Sequence, residues 1–287
     1  MSRRRARTGR AAVIGLPYFW LVVFFLVPFA IVLAISFAES TVGIPPYALA
    51  LQIGNYATLF GDALYLKAYL NSVVFAGVAT LACLLLGYPM AYAIARAPGG
   101  WRNPLLLLVI LPFWTSFLIR VYAWIGILSP NGLANQLLER LGLIAAPLPL
   151  LNNAFSVILG LAYSYLPFMV LPHYATLERQ DPALLEAAAD LGAPPWRRFL
   201  WVTLPLSLPG IVAGCLLVFI PAVGEFVIPD LLGGPDTLMI GKVLWDEFFA
   251  NRDWPVASAL AVMLLIVLLV PILFYERVQR RAIEGEV

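Results

Sequence analysis

Asp, Glu, Lys and Arg are absent from Ala11 to Ala38, from Ala68 to Ala95 and from Trp254 to Tyr275. The same holds for Leu141 to Leu177 and for Phe199 to Gly224, while Asn103 to Leu138 carries Arg120 alone. A helix needs about 20 predominantly apolar residues to cross a hydrocarbon core, and each stretch is long enough. The pattern predicts membrane helices over 13–36, 69–95, 104–128, 154–174, 206–229 and 256–275. The fold class that follows is an all-α membrane protein with six transmembrane helices.

Composition agrees. Of 287 residues, 62% are hydrophobic and 12% charged, whereas a soluble domain carries about 45–50% apolar and about 25% charged residues. So few charges cannot cover a soluble surface.

The charges also orient the chain, because short cytoplasmic loops hold the excess of Lys and Arg. With the N-terminus inside, the inner segments hold Arg3, Arg4, Arg5, Arg7, Arg10, Arg96, Arg102, Arg179, Arg197, Arg198, Arg277, Arg280 and Arg281. The outer loops hold only Lys67, Arg140, Lys242 and Arg252. Both termini are therefore expected in the cytoplasm. The first apolar run is about twice a signal peptide's h-region of about 7–15 residues and contains Pro17 and Pro28. It reads as an uncleaved helix, and its leading arginines as a topology determinant rather than a nucleic-acid site. Three parts are expected: residues 1–64, a five-helix core over 65–275, and a tail over 276–287.

Cys83 and Cys215 fall inside predicted spans, where a thiol acts as a small apolar residue. Neither a disulfide nor a metal framework is expected. His173, the one histidine, reads as an interfacial hydrogen bonder rather than a proton relay. Gly234 to Val243 imitates a phosphate-binding loop, but six residues separate its glycines and Val243 follows Lys242. That loop needs four residues and a hydroxyl after the lysine.

The most informative loop runs over 178–205. Asp181 can cap a helix beginning at Pro182, the Ala-rich run to Leu191 propagates it, and Gly192 suits a left-handed stop. Pro194 and Pro195 restart the chain, Trp196 to Thr203 predicts a second short helix, and Pro205 predicts a break before the next span. Glu186-Ala187-Ala188, then three residues, Gly192, nine residues, Val202, and Leu204-Pro205 resemble the "EAA" signature of ABC importer permeases. An Ala-rich helix lying on the inner leaflet is the plain alternative.

The resemblance extends from about residue 13 to 275. Asn71 to Arg96, Leu111 to Arg120, Pro221 to Gly234 and Asn251 to Pro255 are most similar to the spermidine/putrescine permease branch. The resemblance implies a type I ABC importer permease (MetI-like) fold and no catalytic group or cofactor. It implies a homologous second permease, two cytoplasmic ATPase subunits and a periplasmic solute-binding protein as partners, in the bacterial inner membrane and without nucleic acid. It also implies that Glu186, Ala187, Ala188, Leu191 and Gly192 couple to the ATPase. Other cationic or opine-like solutes are the alternative cargo. An intramembrane enzyme would need a base near a membrane-embedded nucleophile, and His173 has no convincing partner for that; a stand-alone transporter has no use for the 178–205 loop.

For a cationic solute, the candidate path residues are Trp114, Tyr122, Tyr163, Tyr165, Glu225 and Asp230. A carboxylate at membrane depth faces a cavity or a partner, and aromatic faces hold ammonium groups. Any one ring is better explained as an interfacial anchor, and Glu225 equally well as the structural partner of Arg120. On one continuous helix, positions 114 and 122 lie about 80° apart and can border one cavity.

Overall fold

The computed structural model describes residues 13–284. The arginine cluster of residues 3–10 and the end of the expected tail lie outside them. Among the described residues, six helices are long and apolar enough to cross a membrane: Val13–Ile35, Ala63–Arg96, Phe117–Arg140, Ala154–Glu178, Pro195–Val223 and Trp254–Leu273. The predicted count of spans holds, and their boundaries shift.

The chain divides into two compact units. One comprises the chain up to Leu66 together with Leu244–Val267. It opens with α1 (Val13–Ile35), apolar throughout. Asn55 on α2 (Gly54–Gly61) donates to the carbonyls of Ser36 and Ala38, both at 2.9 Å, and so supplies the acceptors of the turn with their partner. A two-rung ladder pairs β1 (Glu39–Ser40) with β2 (Tyr47–Ala48). Ser40 Oγ donates to Asp253 Oδ1 at 2.7 Å, and that oxygen also accepts from the amide of Val256 in the first turn of the last helix. Tyr65 donates to Glu247 at 2.8 Å.

The second unit comprises Lys67–Val243 and the chain from Leu268 onward. In order it holds most of α3 (Ala63–Arg96), then α4 (Gly99–Ile110), α5 (Phe117–Leu128), α6 (Leu133–Arg140), α7 (Ala154–Glu178), α8 (Pro182–Asp190), α9 (Pro195–Val223), α10 (Val227–Leu232) and the start of α11 (Ile240–Trp245). The last helix, α12 (Trp254–Glu284), runs through parts of both units.

A capping box starts α7. Asn153 Oδ1 accepts from the Ser156 amide at 3.1 Å, and Ser156 Oγ accepts from the Asn153 amide at 3.2 Å. Helices α7 and α9 form the most extensive contact of this unit. Glycines permit it: a Cβ at Gly210 would lie 2.5 Å from Thr176 Oγ1 and 2.9 Å from the Pro172 carbonyl, and one at Gly214 would lie 2.8 Å from His173 Cε1. Small residues allow membrane helices to approach closely. Around this seam, Cys83, Ala162, Met169 and Val218 form one buried cluster. Tyr88, Ala91, Val109, Val170 and Leu177 belong to another. His173 is buried here, with Nδ1 2.6 Å from the Met169 carbonyl and its ring edge-on to Tyr88. It therefore sits in the packed interior rather than at an interface.

Two predicted helices are corrected. The span expected over 104–128 is broken: α4 stops at Ile110, Leu111–Trp114 forms a 3-10 turn, and Thr115 and Ser116 are extended before α5 begins. Pro112 cannot donate within a helix, and Thr115 Oγ1 satisfies its carbonyl at 2.7 Å. The span expected over 206–229 instead runs from Pro195 to Val223. Pro205 does not break it, because the preceding turn, Phe199–Thr203, is a π-helix in which the Leu204 amide reaches back to the Phe199 carbonyl. The widened turn makes room for the proline ring. The same device, Val22–Leu26 with Val27 bonded to Val22, precedes Pro28 in α1.

Candidate functional site

Where α9 ends, the chain has no regular helical partner for the first amides of α10. Glu225 supplies one: Oε1 accepts from the Phe226 and Val227 amides at 3.1 and 3.0 Å. Its other oxygen accepts from Tyr165 Oη at 2.5 Å. A carboxylate is well placed at a helix N-terminus, where the backbone dipole is positive. The surrounding backbone fixes this position. Ile228 and Leu232 of α10 lie over Gly160, where a Cβ would come within 3.0 and 2.6 Å of them, and a Cβ at Gly241 would lie 2.6 Å from the Glu225 carbonyl. The segment is anchored to α3 by Ser72 Oγ, which accepts from the Ile240 amide at 2.7 Å.

Beside this carboxylate is a cavity of about 450 Å³. Phe113, Phe117 and Phe168 line it together with Tyr165, Glu225 and Arg120. The break in the third span makes this possible, since Phe113 lies before it and Phe117 and Arg120 after it. The Arg120 guanidinium carbon lies 5.2 Å from the Phe113 ring and 5.7 Å from the Phe117 ring. Its Nε and Nη1 are buried without a hydrogen-bond partner. Ion pairs within 4.0 Å among the described residues include Lys67–Asp236, Arg102–Glu178 and Lys242–Asp230, and neither Glu225 nor Arg120 takes part in one. Glu225 and Arg120 thus share a cavity without forming an ion pair.

Of the six path residues named from the sequence, Tyr165 and Glu225 come together. Asp230 bonds instead to Lys242 at 3.0 Å. Tyr163, two residues from Tyr165 and so on another helix face, meets Trp124 edge-on at 5.3 Å. Trp114 and Tyr122 do not share a continuous helix, which removes the 80° argument, and their side chains are 76% and 58% exposed. None of the cavity's three phenylalanines was among the path residues, although Phe113 and Phe117 lie in the Leu111 to Arg120 segment and Phe168 is three residues from Tyr165.

The second constellation is the 178–205 loop. Asp181 Oδ1 accepts from the Ala183 amide at 2.9 Å, with Pro182 as the first residue of α8. At the other end the Ala193 amide bonds to Ala188 and the Gly192 amide to Ala189, with Gly192 at φ +79°. This pairing is a Schellman stop. Gln180 Nε2 donates to the Thr203 carbonyl at 3.0 Å, which ties the two ends of the loop together. Glu186, Ala187, Leu191 and Gly192 are exposed, Leu191 to 89%, and Ala188 is half-buried. The helix thus presents an apolar and acidic face with no partner in the described chain.

A family profile for binding-protein-dependent transport system inner membrane components matches residues 83–284. The chain belongs to that family. This permease is 43% identical over 267 residues to the spermidine/putrescine transport system permease protein PotB of Haemophilus influenzae, covering 93% of each chain. It is 42% identical over 261 residues to the PotB protein of Escherichia coli (strain K12), covering 91% of this chain and 94% of that one. Among solved structures, a bacterial ABC transporter involved in import of the acidic polysaccharide alginate matches with a TM-score of 0.71 at 20% identity. That match covers 98% of this chain and 99% of the other, and it shows the fold. The protein is a multi-pass inner-membrane permease subunit of an ABC importer.

Proposed function

We propose that this permease forms half of a translocation path for a polyamine, putrescine or spermidine, completed by a homologous second permease. A periplasmic binding protein delivers the solute, and two cytoplasmic ATPase subunits drive its passage. The observation that carries the cargo assignment is the likeness to spermidine/putrescine permeases over more than nine-tenths of the chain. The cavity supplies compatible chemistry. Glu225 offsets part of the lost hydration of an ammonium group, and the three phenylalanine faces and Tyr165 hold its methylenes and charge by cation–π attraction. Arg120 opposes the same charge. A weak site suits transit, because tight binding would obstruct release.

The exposed face of α8, with Glu186, Ala187, Leu191 and Gly192, is the surface proposed for ATPase docking, and the half-buried Ala188 supports it from the side that faces the first turns of α9. The Schellman stop and the Gln180–Thr203 bond make it a rigid lever on α9. This role places the loop and both termini in the cytoplasm.

The test is reconstitution. The complete importer should take up labelled putrescine or spermidine in an ATP-dependent manner, and the permease without its partners should not. Robust uptake by this chain alone would reject the assembly, and an importer indifferent to both polyamines would reject the cargo.

A further inference from the structure

A groove of about 480 Å³ lies beside the coupling helix, apart from the Glu225 cavity. Ala188 of α8 forms one side, and Trp196, Arg197, Arg198 and Trp201 from the first turns of α9 form the other. It carries two cations and no carboxylate among its lining residues. Neither arginine takes part in an ion pair within 4.0 Å among the described residues. The Arg197 guanidinium carbon sits 5.0 Å from the centre of the Trp196 ring, so the indole holds its plane. Arg198 Nε is buried and has no hydrogen-bond partner.

The groove's place on α9 narrows the choice of anion. Helix α9 is 29 residues long, more than the roughly 20 that cross the hydrocarbon core, so its first turns reach the headgroup level. Trp196 and Trp201, 58% and 78% exposed, are the amphipathic rings that settle at this level. Arginine forks match the paired oxygens of a phosphodiester, and basic pockets between membrane helices receive anionic headgroups.

We propose that this groove binds the phosphate of an anionic phospholipid, with Arg197 and Arg198 as its cationic ligands and Trp196 and Trp201 as its interfacial walls. Because Ala188 belongs to the coupling helix, an occupied groove braces α8 against α9. Anionic lipid then raises the coupling between ATP hydrolysis and transport. The lipid site needs only the membrane placement of α9, its effect on coupling rests on the role proposed for α8, and both hold for any cargo.

The experiment uses the assembled importer in nanodiscs containing equal phosphatidylglycerol and phosphatidylcholine. Native mass spectrometry should show phosphatidylglycerol enriched at least fivefold over phosphatidylcholine on the released complex. The enrichment should fall in the double variant Arg197→Gln, Arg198→Gln and persist in part when both become Lys. Equal retention of the two lipids, or unchanged enrichment in the glutamine variant, overturns the proposal. A second measurement avoids any arginine change: brominated phosphatidylglycerol should quench tryptophan emission more than brominated phosphatidylcholine, and the excess should disappear in Trp201→Phe. Absence of that excess in the assembled complex means that a protein surface covers the groove, and the lipid assignment fails. Displacement of the brominated lipid by millimolar glycerol phosphate would make the ligand a soluble phosphate, which also overturns it.

Discussion

Tyr165 donates its phenolic proton to Glu225 Oε2 at 2.5 Å, while Glu225 Oε1 receives the amides of Phe226, which caps α10, and of Val227, its first residue. One carboxylate thus closes a helix end and faces a cavity, and the two roles respond differently to substitution. Glu225→Gln keeps an oxygen for the amides but removes the charge. It should lower polyamine uptake about tenfold or more and leave ATPase assembly intact. Tyr165→Phe removes one hydrogen bond, worth about 1.5–3 kcal/mol when the acceptor is charged, yet retains the carboxylate. Uptake measured in proteoliposomes should therefore fall less in Tyr165→Phe than in Glu225→Gln. Equal loss in both, matched by equal loss of thermal stability, would make Glu225 a structural cap and nothing more.

Gly192 offers a test of coupling without a steric complication. Nothing lies within 4 Å of a Cβ built there, and φ is +79°. A residue other than glycine in this region costs about 1–2 kcal/mol, and a β-branched one is a true outlier. Gly192→Val should therefore reduce solute-stimulated ATP hydrolysis severalfold, whereas Gly192→Asn should retain most of it. Wild-type stimulation in the valine variant would remove the lever role of α8.

The sequence made the spans and the shape of the 178–205 loop legible for the same reason: both are local. Charge-free runs locate hydrocarbon-length helices, and Asp181, Pro182 and Gly192 specify the start and stop of the nine-residue α8. What was not legible depended on backbone detail. Pro112 broke its helix, whereas Pro205 did not, because a π-turn before Pro205 accommodates the ring. No residue type in Phe199–Thr203 announces that widened turn. The cavity was half legible. Carboxylates at membrane depth are rare enough to single out Glu225, but phenylalanines are common in every span, and only the break at Thr115 and Ser116 turns Phe113 and Phe117 toward Tyr165.

Asp230 provides the contrast to Glu225. Its partner is Lys242 at 3.0 Å, its side chain is 47% exposed, and it does not line the cavity. Pairs this exposed contribute about 0–1 kcal/mol. Asp230→Asn should leave uptake within about twofold of wild type and shift the thermal midpoint little. A loss of uptake as large as that of Glu225→Gln would return Asp230 to the path.

The last prediction concerns the seam between α7 and α9, the two helices joined by the 178–205 loop. At Gly210 the atoms nearest a new methyl are Thr176 Oγ1 at 2.5 Å and the Pro172 carbonyl at 2.9 Å. The hydroxyl can rotate, but it already donates to that same carbonyl at 2.9 Å, and the backbone cannot withdraw without shifting α7. At Gly214 the neighbours are the His173 ring and Met169 Sδ, both at 2.8 Å. The thioether can move, while the imidazole is held by its bond to Met169. Overpacking of this kind costs about 1–3 kcal/mol. Gly210→Ala should therefore lower the thermal midpoint of the complex most, and Gly214→Ala should follow. Gly77 is the control, because nothing lies within 4 Å of its added Cβ and alanine is the better helix former by about 1 kcal/mol. Gly77→Ala should leave the midpoint unchanged or raise it. If all three variants melt together, the close approach of α7 and α9 is not what the glycines provide.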